Sequence, residues 1–273
     1  GGCLPAVDRP DAHRLMSALQ PTLASYAYWL SAYRRTWRGS AISSLLSPIL
    51  YLGALGFGLG SLVDASAGGV DGVPYFQFVA PGLLAATAMQ IASFESTYPV
   101  MGAIKWHKQY IAQLATPLAV RDVMAGHLLF IATRIGTSCT VYFVVIALFG
   151  GAVAPTAILA LPAALLVGLA FAVPIAAFAA VQQNDAGFAG LFRFGIVPLF
   201  LFSGTFFPVS QLPAFLQPIA YVTPLWHGVE LCRDLMLGTG TFTAAVLHAL
   251  YLSAWVVAGV VLALLGFRSR LID

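Results

Sequence analysis

Residues 204–230, GTFFPVSQLPAFLQPIAYVTPLWHGVE, run out of one hydrophobic segment and stop short of the next. A connection between two membrane helices needs only a few polar residues, yet this one carries Pro208, Pro213, Pro218 and Pro224 among Phe, Leu, Tyr and Trp. Each proline removes an amide donor and breaks a helix. The pattern predicts two short half-helices dipping back into the outer leaflet, tolerable only where protein or a water-filled cavity satisfies the freed carbonyls. An external loop resting on the membrane is the alternative.

The rest of the chain fits that setting. Of 273 residues, 60% are hydrophobic and 8% charged, with a mean hydropathy of +0.88; soluble domains carry roughly 25% charged residues. Charge is absent from 41–63, 135–184, 194–229 and 235–267, and a span needs about 20 apolar residues. Six spans fit, near 41–63, 75–97, 123–149, 156–182, 187–207 and 244–267. GGAVAP at 150–155 supplies the turn inside the longest stretch, and Arg193 lies in the first third of the fifth span.

Lys and Arg placement sets the orientation. With the N-terminus inside, eleven of the thirteen basic residues are cytoplasmic; Arg233 falls outside and Arg134 within a span. Both termini are therefore expected in the cytoplasm. The net charge of +3 reflects this sidedness and not a nucleic-acid groove, because the basic residues are split among four segments. Cys3, Cys139 and Cys232 form neither a disulfide framework nor a metal spacing. Under this map an impermeant thiol label is expected to reach Cys232, and not Cys3, from outside. No cleavable signal peptide is expected, since the first 40 residues lack an apolar core.

Before the first span, Leu23, Tyr26, Leu30, Tyr33 and Trp37 recur at helical spacing, with Arg34, Arg35 and Arg38 near the end. This predicts an amphipathic helix on the cytoplasmic interface, either a surface anchor or an elbow that also touches a partner. Between the second and third spans, 98–122 has room for a short helix at about 103–115, ended by Thr116-Pro117. Lys105, Trp106, His107, Lys108 and Tyr110 make it charged and aromatic. That suits docking into a protein groove, or rest on lipid headgroups.

Glu95 and Arg134 are the intramembrane charges, and burying either alone is costly, of order 2.5–3.5 kcal/mol or more. An ion pair between neighbouring helices would neutralise both; a role in gating or substrate contact is the alternative. Neither lysine sits in a Gly-Lys-Ser/Thr context, so a Walker A loop is excluded. The five histidines form no HExxH pair, and no Gly-x-Ser-x-Gly elbow occurs. His227 and Glu230 lie one turn apart without a third partner, so neither a catalytic nor a metal site is assigned.

The runs PILYLGALGFGLGSLV at 48–63, FVAPGLLAATAMQIASFEST at 78–97, ATPLAVRDVMAGHLL at 115–129 and SGTFFPVSQLPAFLQPIAYVTPLWHGVELCRDLMLG at 203–238 resemble the permease subunit of ABC type-2 exporters. The similarity is closest to the nodulation-factor and daunorubicin-resistance exporter permeases and covers roughly 25–270. It implies an all-α polytopic membrane protein. A cytoplasmic tail and elbow helix at 1–40 would precede a six-span transmembrane domain at 41–273, with an external re-entrant hairpin before the last span.

The resemblance also implies a bacterial inner-membrane half-transporter that pairs with a second permease copy or paralogue and binds two copies of a separate ABC ATPase. ATP and Mg would reside in that partner, leaving no cofactor in this chain. The coupling helix maps to about Gly102–Leu114, the elbow to Leu23–Arg38, and the gate to Pro208–His227; Arg193 departs from the family's mostly uncharged fifth span. Phe57, Phe94, Phe202 and Phe206 are candidates to line the path, with lipid or helix packing as the alternative. The expected activity is ATP-driven export of an amphipathic or hydrophobic molecule, drug-like, lipid or glycolipid. A polysaccharide cargo remains open, as does an ATPase-independent channel or carrier.

Overall fold

A computed structural model describes residues 10–35 and 50–271, with the side chains of 10–18, Phe57 and Ala67 excepted. Trp37, Arg38 and the first nine residues of the 41–63 span lie outside the described residues. Among the described residues the regular structure is helical, apart from one isolated bridge between Val70 and Val73. The helices are α1 (Pro10–Tyr33), α2 (Gly60–Ala67, entered through a π-helical stretch Gly53–Leu59), α3 (Tyr75–Ser96), α4 (Tyr98–Lys105), α5 (Gln109–Leu114) and α6 (Val120–Leu148). They continue with α7 (Ala160–Val181), α8 (Ala186–Gly190, running through π-helical Leu191–Ile196 into α9, Val197–Phe202), α10 (Gln217–Val222), α11 (Pro224–Leu237) and α12 (Phe242–Leu271).

Among the described residues, four continuous segments are long and apolar enough to cross a membrane: Tyr75–Lys105, Val120–Leu148, Pro155–Val181 and Phe242–Leu271. Leu50–Ser66 and Ala186–Phe202 are apolar but shorter. The segment read as a span over 187–207 therefore stops at Phe202. Ser203 ends it, and Gly204, at φ +78°, takes the left-handed turn that a side chain would resist.

α3 and α7 lie at the centre, and α12 packs along α7. Small residues permit that approach: a Cβ on Gly259 would sit 2.7 Å from the Pro174 ring, the close contact by which membrane helices gain van der Waals packing. α1 lies along the first half of α6, where a Cβ on Gly126 would meet the Ser25 side chain at 2.5 Å.

The connections collect at two ends. The elbow end carries α1, α4, α5, the Gln182–Asp185 turn and the end of α12. The cap end carries the 68–74 loop, the 149–159 connection and everything from Ser203 to Thr241. There Pro218 and Pro224 open α10 and α11, at the position where a missing N–H costs nothing; these two prolines start helices instead of interrupting them. The Thr223 side chain caps α11 by accepting from Trp226 N–H.

Candidate functional site

At the elbow end, the face of α1 that packs differs from the predicted stripe. Leu23 is exposed, while Ser25 and Trp29 are buried and Tyr26, Leu30 and Tyr33 half-buried. The packed face is polar and aromatic because its partner is too. Trp29 stacks on His127 of α6 with ring centroids 3.9 Å apart, the Ser25 hydroxyl donates to Gln113 of α5 at 2.7 Å, and Tyr26 bonds Thr133 at 3.2 Å. Arg34 and Arg35 follow α1 in exposed positions.

The predicted helix over 103–115 is divided. α4 ends at Lys105, the chain turns at Trp106–His107, and Lys108 adopts φ +51° before α5 begins. Trp106 (57% exposed), His107 and Lys108 form the tip, and Lys105 donates to the Gln183 carbonyl. Tyr110 corrects the sequence reading: grouped there with the exposed docking residues, it is fully buried, its hydroxyl bonded to His127 and its ring tilted onto Phe267. Thus α5 is held by its inward face to α1, α6 and α12. Asp122 closes the return by accepting the Ala119 N–H at 3.0 Å at the start of α6.

Glu95 and Arg134 do pair. Arg134 Nε donates to Glu95 Oε1 at 3.0 Å, with side chains only 13% (Arg134) and 21% (Glu95) exposed. The guanidinium also reaches the Tyr33 hydroxyl and lies 4.4 Å from that ring's centre. One charge pair thereby ties α1, α3 and α6.

Three of the four phenylalanines read as lining a path have described side chains. Phe94 is 60% exposed and stacks on Phe192 at 4.9 Å; Phe202 is exposed; Phe206 is half-buried, edge-on to Phe200 at 5.0 Å. The Phe57 side chain lies outside the described residues.

At the cap end the central residue is Arg233, which the sequence assigned to the outside by elimination. It is 7% exposed. Nε donates to the Phe78 carbonyl at 3.3 Å, Nη2 to the Gly204 carbonyl at 2.7 Å and Nη1 to Glu230 at 2.5 Å, while the guanidinium lies 4.0 Å from the Phe78 ring centre. α11 is thus bonded to the start of α3 and to the turn after α9. Burial raises the Glu230 carboxyl, and Arg233 opposes that rise. Sequence spacing carried the signal: Glu230 and Arg233 stand three apart on one helix, within pairing reach.

His227, left without a partner in the sequence, bonds His248 of α12, Nδ1 to Nδ1 at 2.7 Å, and stacks on Tyr251 at 3.9 Å. Cys232 is fully buried and its thiol faces the Ala160 carbonyl. The expectation that an external label reaches Cys232 is therefore overturned, because no path leads to the sulfur. Of the four prolines, Pro224 is buried, Pro208 half-buried, and Pro213 and Pro218 exposed.

A family model described as ABC-2 type transporter matches residues 23–237. A nodulation protein J of Sinorhizobium fredii is 34% identical over 216 residues, 77% of this chain and 81% of that protein. That of Rhizobium leguminosarum bv. viciae is 36% identical over 217 residues, with 77% and 82% covered. The inner membrane transport permease YadH of Escherichia coli is 23% identical over 246 residues, covering 84% and 91%.

Proposed function

The chain belongs to the ABC-2 type transporter family, and from that premise we propose that it is the membrane-spanning half of an ATP-driven exporter in a bacterial inner membrane. Its cargo is an amphipathic or hydrophobic molecule, drug-like, lipid or glycolipid. Four helices of spanning length together with the shorter Leu50–Ser66 and Ala186–Phe202 make six crossings in this reading. The elbow end faces the cytoplasm, where Lys105, Lys108, Arg121, Arg268 and Arg270 gather. The segment from Pro208 to His227 caps the exit outside. ATP and Mg reside in two copies of a partner ATPase, and a second permease copy completes the path.

The observation that carries this reading is the shape of the 98–118 segment. It presents Trp106, His107 and Lys108 outward on a tip whose two flanking helices are locked inward. A push on such a tip does not dissipate in a loop: α4 leads into α3, and α5 leads through His127 into α6 and through Gln113 into α1. Movement of the ATPase subunits would tilt these helices as units and open the path outward.

Trp106→Ala removes the exposed aromatic of the tip and leaves Tyr110 and Gln113 in place. Association of a co-expressed ABC ATPase is expected to weaken about tenfold or more, as for an aromatic hot spot. If pull-down and stimulated ATP hydrolysis by the pair stay unchanged, the tip is not the coupling surface. Orientation is read with a cysteine introduced at exposed Gln211, which an impermeant label should reach from outside intact cells.

A further inference from the structure

At the elbow end, an open groove of about 750 Å³ runs between the α5–α6 connection and the last turns of α12, its walls including Leu114, Leu118, Arg121, Leu264, Leu265 and Arg268. Leu264 and Leu265 are exposed, although they belong to a segment long and apolar enough to cross a membrane. Arg268 follows Leu264 by four residues, about 6 Å along the helix axis. The groove therefore has an apolar wall where the segment is still hydrocarbon-like and positive charge at the level where it ends.

The charge there is one-sided. No carboxylate is among the groove's lining residues. Asp122, next to Arg121 in the chain, accepts the Ala119 N–H at 3.0 Å and the Thr22 hydroxyl at 3.4 Å, and stands 4.0 Å from the Nε of Arg121, whose side chain is 81% exposed. A pair that long and that open neutralises little. Arg270 is turned to the Gln183 side chain at 3.4 Å. Two guanidiniums, Arg121 and Arg268, thus stand over four leucines.

That combination selects the occupant. A bare acyl chain or a helix of a second copy would cover the leucines and leave two cations unmatched, whereas a soluble anion would do the reverse. A zwitterionic lipid would bring an ammonium toward both arginines. An anionic phospholipid meets the whole wall: its phosphate takes the planar guanidinium forks, and its chain lies on the leucines. Basic pockets between membrane helices hold such headgroups. The volume falls within the roughly 300–1,000 Å³ of a single-ligand site.

We infer that this groove binds an anionic phospholipid of the surrounding bilayer, held as a resident lipid and not as cargo. The inference rests on the chain's crossing a membrane and is independent of the export reading.

The test titrates the purified full-length permease in detergent with phosphatidylglycerol and with phosphatidylethanolamine of the same chains, counting bound lipid by native mass spectrometry. Phosphatidylglycerol is expected to bind about tenfold tighter or more, the scale of one hydrogen bond between charged groups. Arg121→Gln/Arg268→Gln should bring it down to the phosphatidylethanolamine level. Each single variant should lose part of the preference, and they serve if the double variant elutes as aggregate. Lys108→Gln removes an exposed cation that does not line the groove and should stay within about twofold of wild type, because solvent and salt screen it from the headgroup.

Equal binding of the two lipids, wild-type affinity in the arginine variants, or an equal loss in Lys108→Gln would overturn the inference. Arginine variants that keep phosphatidylglycerol but lose the dimer, or lose a co-expressed ABC ATPase, would give the groove to a second copy or to that partner instead.

Discussion

Arg233→Ala is expected to leave little folded permease. The change strands Glu230 in a half-buried position and removes the donor from the Phe78 and Gly204 carbonyls. Breaking a buried pair by removing one partner costs about 3–5 kcal/mol, a large share of the 5–15 kcal/mol that typically separates folded from unfolded protein. Monodisperse protein after extraction should fall at least severalfold, and the thermal midpoint of what remains should drop. Arg233→Lys keeps the charge but not the planar fork, and one ammonium cannot serve three acceptors in that geometry, so an intermediate loss is expected. Glu230→Gln/Arg233→Leu removes both charges and should recover part of the loss if the stranded carboxylate is its main cause. Wild-type yield and midpoint in Arg233→Ala would show that α11 is held by apolar packing alone.

Arg134→Leu should have the second largest effect. Glu95 loses its ion pair and Tyr33 loses both a hydrogen bond and a cation over its ring. The expected cost is about 3 kcal/mol, the low end for a shielded pair because Glu95 remains one-fifth exposed. Since Arg134 ties α1 to α6, the loss should appear as protease sensitivity of α1 before the rest of the bundle opens. Glu95→Gln/Arg134→Leu should restore much of the stability, as an uncharged pair leaves nothing stranded. A double variant no better than Arg134→Leu would mean that the cation on Tyr33, and not the ion pair, holds the elbow.

Helix positions were legible where apolar length alone decides them. The 75–97 segment became Tyr75–Ser96, because 22 mostly apolar residues bounded by Pro74 and Thr97 leave little choice. The fifth segment was read five residues too long, since hydropathy does not register the left-handed turn at Gly204. The Glu95–Arg134 contact was foreseeable because each charge needs a partner in an apolar bundle. The packed face of α1 was not, because hydrophobic spacing points to Leu23 while the partner surface on α6 is His127 and Thr133. Tyr110 misled for a related reason: a polar aromatic in a connecting segment looks exposed until the segment folds back onto Trp29 and Phe267. Arg233 misled by topology, since a cation between the fifth and sixth apolar runs was given to solvent although Glu230 stood one turn away.

That this permease works through an ATPase is tested most directly by purifying the tagged wild-type chain from native membranes and identifying what accompanies it. The expected result is an ABC ATPase in equimolar ratio whose hydrolysis, in proteoliposomes, rises when the permease is present and falls back with Trp106→Ala. A chain that purifies without any ATP-binding-cassette ATPase, or an ATPase whose rate is indifferent to it, would contradict the proposal.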